Sequence, residues 1–384
     1  MSGFNSNSTS TAPEKLPVIS GEYIRPEWLI DEPPAYEFCI DPLVPIGAVT
    51  VINAHGGTGK SLLALKASIH IALGLPILGA NTNGGKVAYM SLEDPEPVFR
   101  TRLYSIANNM QDEVSPRMDE LLQKLMFINR YGLATFMATA NAGKIVETKI
   151  PNDLISLLKN NDIKCLIVDT FVRTNSLNEN DNSQMGLLLS LFEKIAKEAE
   201  CAVILIHHQP KGAGNAGYAA RGASAITDNA RSVLLLEKVS SKDVGKFADE
   251  NIKTAVTENR LVRVTHTKHN YSAGHPEQYF EITADGVPIE LFPLINTGDD
   301  KSQRYFELHT WWNKECGGKP LTKTNIDSNV IAIRPSKATY GKNRYREALD
   351  WVIKKDFAKK VPAPEGGSKN SNAEYYTLLS NGSN

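Results

Sequence analysis

The sequence predicts an α/β fold, a mostly parallel β-sheet flanked by helices. Three observations carry that expectation. Short apolar runs of β-type recur at AVTVINA (48–54), KVAYMSL (86–92), KCLIVD (164–169), CAVILI (201–206) and RSVLLLE (231–237). Segments with helical spacing separate them. The first run passes through a Gly-rich turn straight into a helix. Strands that are apolar throughout suit a sheet buried on both faces, and alternating helices supply the cover.

Taken in order, residues 1–20 are polar and predict a disordered tail. Residues 21–45 are Pro-rich and predict an extended lead-in. AVTVINA is the first strand. After the Gly-rich turn, Leu62, Leu65, Ile69 and Leu73 recur at helical spacing in SLLALKASIHIAL. QMGLLLSLFEKIAKEAE (184–200) is a second amphipathic helix. LVRVTHTKH (261–269) and EQYFEITADG (277–286) alternate with period two, so they predict antiparallel strands at one sheet edge. NSLNENDNS (175–183) and GAGNAGYAARGASA (212–225) predict loops at the carboxyl ends of strands.

TGDDKS (297–302) is a polar break. It divides a domain spanning 21–298, lead-in included, from a C-terminal module at 299–384. Within that module RYFELHTWWNKECGG and NRYREALDWVIKKDFAKKV read as helices, and EYYTLL as a short strand. Two or three helices with a terminal β-ribbon would suit a winged-helix module.

The chain has 384 residues, 42 basic and 43 acidic, with 41% hydrophobic residues. That balance argues for a globular protein and against global disorder. No run approaches the ~18 apolar residues of a membrane span. The N-terminus lacks a basic stretch followed by an apolar one, so it does not read as a secretory signal. Cys39, Cys165, Cys201 and Cys316 are far apart and lack CxxC spacing. Neither a disulfide framework nor a zinc site is expected, and a reducing cytoplasm fits.

The formal net charge of −1 hides an asymmetry. Residues 301–384 hold 15 Lys and Arg against 8 Asp and Glu, a net of +7, which leaves −8 for the rest. Trp311, Trp312 and Trp351 also lie there. The reading is contact with a polyanion such as nucleic acid, set against a solvated basic surface without a partner.

His55-Gly56-Gly57-Thr58-Gly59-Lys60-Ser61 joins the first strand to the first helix. Its glycines let backbone N–H groups curl toward phosphate oxygens, and the helix N-terminus adds its positive dipole end. Lys60 would reach the β- and γ-phosphates, and the Ser61 hydroxyl would bind Mg²⁺. The strict pattern GxxxxGK[ST] wants Gly where Ala54 stands.

Phosphoryl transfer from a nucleotide also needs acidic groups, one toward the metal and one to orient or deprotonate water. Asp169 closes an apolar strand, the place for the metal-side carboxylate. Thr170 follows it, so the second carboxylate must come from a neighbouring strand, and Glu93 closes KVAYMSL. Asp94 reads as the N-cap of the turn that follows. The CAVILI strand ends in His207-His208-Gln209. Adjacent residues of a strand face opposite ways and make a poor chelate, so one histidine reads as a γ-phosphate sensor.

The set HGGTGKS, SLEDPE, LIVDT, IHHQ, RGASAITDNAR and TKHNYS, in that order, resembles the RepA-type hexameric replicative helicases of plasmids and phages. These are RecA-like ATPases, and the resemblance covers roughly residues 35–295. It implies a RecA-like domain that binds ATP and Mg²⁺ and assembles as a six-membered ring around single-stranded DNA. It implies Gly56, Gly57, Thr58, Gly59, Lys60 and Ser61 as the phosphate loop. Glu93 becomes the catalytic base, Asp169 the Mg²⁺ aspartate, and His207 or His208 the sensor. Arg102 sits at the spacing of a phosphate-contacting arginine. Arg231 corresponds to an arginine finger given to the neighbouring subunit, and Lys268 would reach the same interface. The loop residues Lys211, Tyr218 and Arg221 would meet DNA. The C-terminal module would bind DNA or dock another replication protein. Two other readings use the same residues: a filament-forming recombination or repair ATPase, and an ATP-switched DNA-binding regulator that does not unwind.

Overall fold

The computed structural model describes residues 21–141, 144–178, 181–208, 226–247 and 250–291, with three short strands beyond them. The chain divides into two units, Met1–Tyr36 and Glu37–Asn384. In the first, a single turn of helix, α1 (Glu27–Ile30), follows Pro26. Arg25 lies over the Trp28 ring.

The second unit is built on a nine-stranded sheet. Its strands are β3 (Val49–Ala54), β5 (Lys86–Ser91), β6 (Leu125–Asn129), β9 (Ile163–Asp169), β10 (Ala202–His208), β11 (Ser232–Lys238), β12 (Leu261–His269), β13 (Gln278–Ile282) and β14 (Pro288–Leu291). Their order is β14-β13-β12-β11-β3-β10-β9-β5-β6. The six strands from β11 to β6 are mutually parallel. The last three pair antiparallel as an added edge. This is the α/β fold that the apolar runs predicted, with the antiparallel edge where period-two alternation put it. β14 extends that edge by one strand.

Helices cover both faces. They are α2 (Lys60–Leu73), α3 (Glu96–Asn109), α4 (Gln111–Val114), α5 (Met118–Lys124), α6 (Ile150–Asn160), α7 (Asn182–Glu198) and α8 (Glu250–Thr257). Two large apolar clusters lie on opposite sides of the sheet. Leu63, Ile69, Tyr89 and Ile204 belong to one, and Val51, Met90, Leu188 and Phe192 to the other. Alternate residues of one strand therefore supply opposite cores, which is why these strands read as unbroken apolar runs. α7 starts at an N-cap, Asp181, whose carboxylate accepts from the N–H groups of Ser183 and Gln184. α2 ends at Gly74, which takes the left-handed conformation open to glycine.

The structure corrects two local expectations. The lead-in expected over 21–45 contains a buried hairpin, β1 (Phe38–Asp41) with β2 (Val44–Pro45), and β4 (Asn81–Thr82) pairs beside it. Phe38, Cys39, Ile40, Leu43 and Val44 are buried, and that apolar content holds the segment down despite its prolines. The helix expected over 343–361 does not run to its end. β16 (Ala358–Val361) pairs with β17 (Tyr375–Leu378), and β15 (Leu321–Thr322) completes a three-stranded sheet. Pro362 disfavours helical geometry at Val361, and strand pairing overrides the helix preference of Ala-Lys-Lys. EYYTLL forms β17 as expected. The rest of the expected winged-helix module, the tail at 1–20 and the break at 297–302 lie outside the described residues.

Candidate functional site

The functional residues gather where parallel strands end. Register places Ser91 beside Asp169, and His208 beside Ala54. The carboxyl ends of β3, β5, β9 and β10 therefore share one edge, the place where sheets of this kind bind ligands.

The Gly-rich turn leaves β3 at Ala54. Ala54 is the last residue of a strand and needs no glycine conformation, which removes the objection to its departure from the strict pattern. Gly57 and Gly59 do need one, with φ of +75° and +94°. A Cβ on Gly59 would also collide with the Ile282 side chain of β13. The antiparallel edge thus braces the phosphate loop. Thr58 Oγ1 donates to the His55 carbonyl at 2.8 Å.

Lys60 opens α2 and is buried. Its ammonium donates to the carbonyls of Ala54 and His55, at 3.0 and 2.9 Å. Burial lowers its pKa to about 8, opposed by Asp169 and Glu93. α2 is buried on nearly every side, not along one stripe, and its Lys66 reaches the Pro288 carbonyl at 2.9 Å.

Asp169 is 3% exposed. Tyr89 of β5 donates its hydroxyl to Asp169 Oδ2 at 2.7 Å. Oδ1 is buried and has no hydrogen-bond partner among the described residues. Burial raises the Asp169 pKa, the nearby hydroxyls of Tyr89 and Ser61 oppose the rise, and Asp94 and Glu93 add to it. A free buried carboxylate oxygen next to a serine hydroxyl is a hard-oxygen pair that fits Mg²⁺. Among the described residues no three His, Cys, Asp or Glu side chains could cage a metal. A cation here would be held jointly with nucleotide phosphates, the usual arrangement for Mg²⁺.

Glu93 lies two residues past β5, partly exposed, with Oε2 at 3.4 Å from His208 Nε2. His207 points the other way. It is buried edge-on to Phe171, with ring centroids 5.9 Å apart, and neither ring nitrogen has a partner among the described residues. Burial, then His208 and Lys60, lower its pKa to about 4.

Asp94 does not cap α3, contrary to expectation. The cap position falls on Pro95, and the Asp94 carboxylate forms an ion pair with Arg102, its second contact being 3.5 Å. An arginine nearly two helical turns inside α3 takes that charge in place of the N-terminal amides. The pair keeps Arg102 at the mouth of the site.

Arg231 and Lys268 lie elsewhere. Arg231 precedes β11 and meets Val49 at the start of β3, and Lys268 of β12 pairs with Val233 beside it. Lys268 Nζ donates to the carbonyls of Asp228 and Thr227. Five residues of strand, roughly 16 Å, separate this edge from the phosphate loop. Lys211, Tyr218 and Arg221 lie outside the described residues.

Tyr89 escaped the sequence reading. Its signal was a phenol in the middle of a mostly apolar strand. The comparison with known families agrees with the geometry. The family model described as "AAA domain" matches residues 18–214, just over half of the chain. With its phosphate loop, Asp169 strand and parallel RecA-like sheet, the chain belongs to the AAA domain family of P-loop ATPases.

Proposed function

We propose that this ATPase is a ring-forming replicative DNA helicase that moves on single-stranded DNA. Lys60 and the loop amides hold the phosphates, Ser61 and Asp169 serve Mg²⁺, and Glu93 orients or deprotonates the attacking water. His208 is the better sensor of the two histidines, since it touches Glu93 while His207 is enclosed. Bound Mg²⁺ would offset charge on the phosphate oxygens.

One observation carries the assembly. Arg231 and Lys268 stand at the end of the strands away from their own phosphate loop, which is compatible with a role in a neighbour's site. An arginine given in trans is worth about 10³–10⁵ in rate for this chemistry. It would also make hydrolysis wait for assembly, as a ring threaded by DNA requires. Lys211, Tyr218 and Arg221 are the residues we assign to the DNA, and the +7 C-terminal segment to further DNA contact or to another replication protein.

Mixing two inactive variants tests the shared site. Lys60→Ala lacks a phosphate loop lysine, and Arg231→Ala lacks the finger. Each alone should hydrolyse almost no ATP, and Arg231→Ala should still bind it. Mixed, the pair should recover part of the activity, because some interfaces join an intact loop to an intact finger. Full activity of Arg231→Ala alone would refute the finger.

A further inference from the structure

Tyr89 is 2% exposed and sits in the middle of β5, within a core that is otherwise apolar. A buried phenol needs a partner for its hydroxyl. Register sets Tyr89 opposite Ile167, two residues before Asp169, and the hydroxyl reaches the Asp169 carboxylate at 2.7 Å. It also lies 3.5 Å from the Ser61 carbonyl at the start of α2. One hydroxyl therefore stands between the backbone of Ser61 and the side chain of Asp169. The ring is fixed by packing: Phe99 lies 5.4 Å away, centroid to centroid, and Phe99 in turn stacks on Phe127 at 3.9 Å.

The consequence is a choice between two oxygens. Tyr89 occupies Oδ2 of Asp169 and leaves Oδ1 buried without a partner. A carboxylate free to rotate would offer either oxygen. One oxygen tied by a rigid donor leaves the other held in a single direction. We infer that Tyr89 is a positioning residue for the metal side of the site. It aims Asp169 Oδ1 at the cation that accompanies the nucleotide and keeps it in step with Ser61. This inference rests on the assignment of Asp169 and Ser61 to Mg²⁺. Outer partners of this kind change metal affinity by about 10–100-fold when removed.

The test uses the full chain, a fluorescent ATP analogue and Mg²⁺ titration, with no turnover needed. Tyr89→Phe keeps the ring and its contact with Phe99. Its affinity for the analogue in EDTA should equal that of the unaltered protein. The Mg²⁺ concentration that half-saturates the metal-dependent gain in binding should rise about 10–100-fold. Asp169→Asn is the reference arm and should shift at least as far. If Asp169→Asn shifts and Tyr89→Phe does not, the positioning role is overturned and the metal assignment stands. If neither shifts, the metal assignment fails as well. A Tyr89→Phe protein that binds the analogue less well in EDTA, with an unchanged Mg²⁺ midpoint, would show a structural hydroxyl and overturn the inference.

Discussion

His208 Nε2 lies 3.4 Å from Glu93 Oε2, across the gap between the ends of β10 and β5. The two strands are not neighbours. β9 runs between them, and Asp169 closes it. The carboxylate proposed to polarise water is thus in touch with the strand that leads into residues 209–225. In the proposed mechanism, a change at Glu93 when the γ-phosphate leaves would pass directly to His208.

Glu93→Gln keeps the shape of the side chain and removes its basicity. Hydrolysis should fall about 10²–10⁴-fold, the range for loss of a general base, with nucleotide affinity unchanged. Steady-state ATPase rates and equilibrium binding measure the two separately. Equal losses in both would move Glu93 from chemistry to nucleotide binding.

Acid should destabilise the fold. His70 and His266 are buried, and burial first, then neighbouring cations, lower each pKa to about 4. A histidine in the unfolded chain takes its proton near 6.5, so the unfolded state gains protons first as pH falls. The stability from neutral burial is full above pH 6.5 and is lost through the window from 6.5 toward 4. On the order of 1–2 kcal/mol per histidine should be gone by pH 5. Thermal melting at pH 7.5 and pH 5 reads this directly, and an unchanged midpoint would contradict it.

Removing residues 301–384 takes away a net charge of +7. If this segment contacts phosphates, DNA affinity should drop, and the slope of log affinity against log salt should become shallower by about 0.7 per lost contact on single strands. Titrations at several salt concentrations measure both. Unchanged affinity and slope would point to protein docking.

Most of the parallel sheet was legible because its strands are buried on both faces. Continuous apolar runs such as CLIV and AVILI leave little else to be. The edge strand β6 was not. Its residues 125–128 are only partly buried, and LMFIN follows a helix without a turn signal. The hairpin β7 (Ala138–Asn141) with β8 (Lys144–Glu147) escaped as well. Phe38–Val44 was hidden by its prolines. In the site, the phosphate loop and Asp169 announce themselves by local pattern. Tyr89 does not, because its meaning lies in cross-strand register and in which oxygen of Asp169 it takes. The Asp94–Arg102 pair likewise depends on the pitch of α3.

The central claim is that ATP hydrolysis drives strand separation. A forked duplex, tested in both polarities with ATP and Mg²⁺, measures it most directly. The unaltered protein should displace one strand, and Lys60→Ala none. Normal DNA-stimulated hydrolysis with neither fork opened would contradict it.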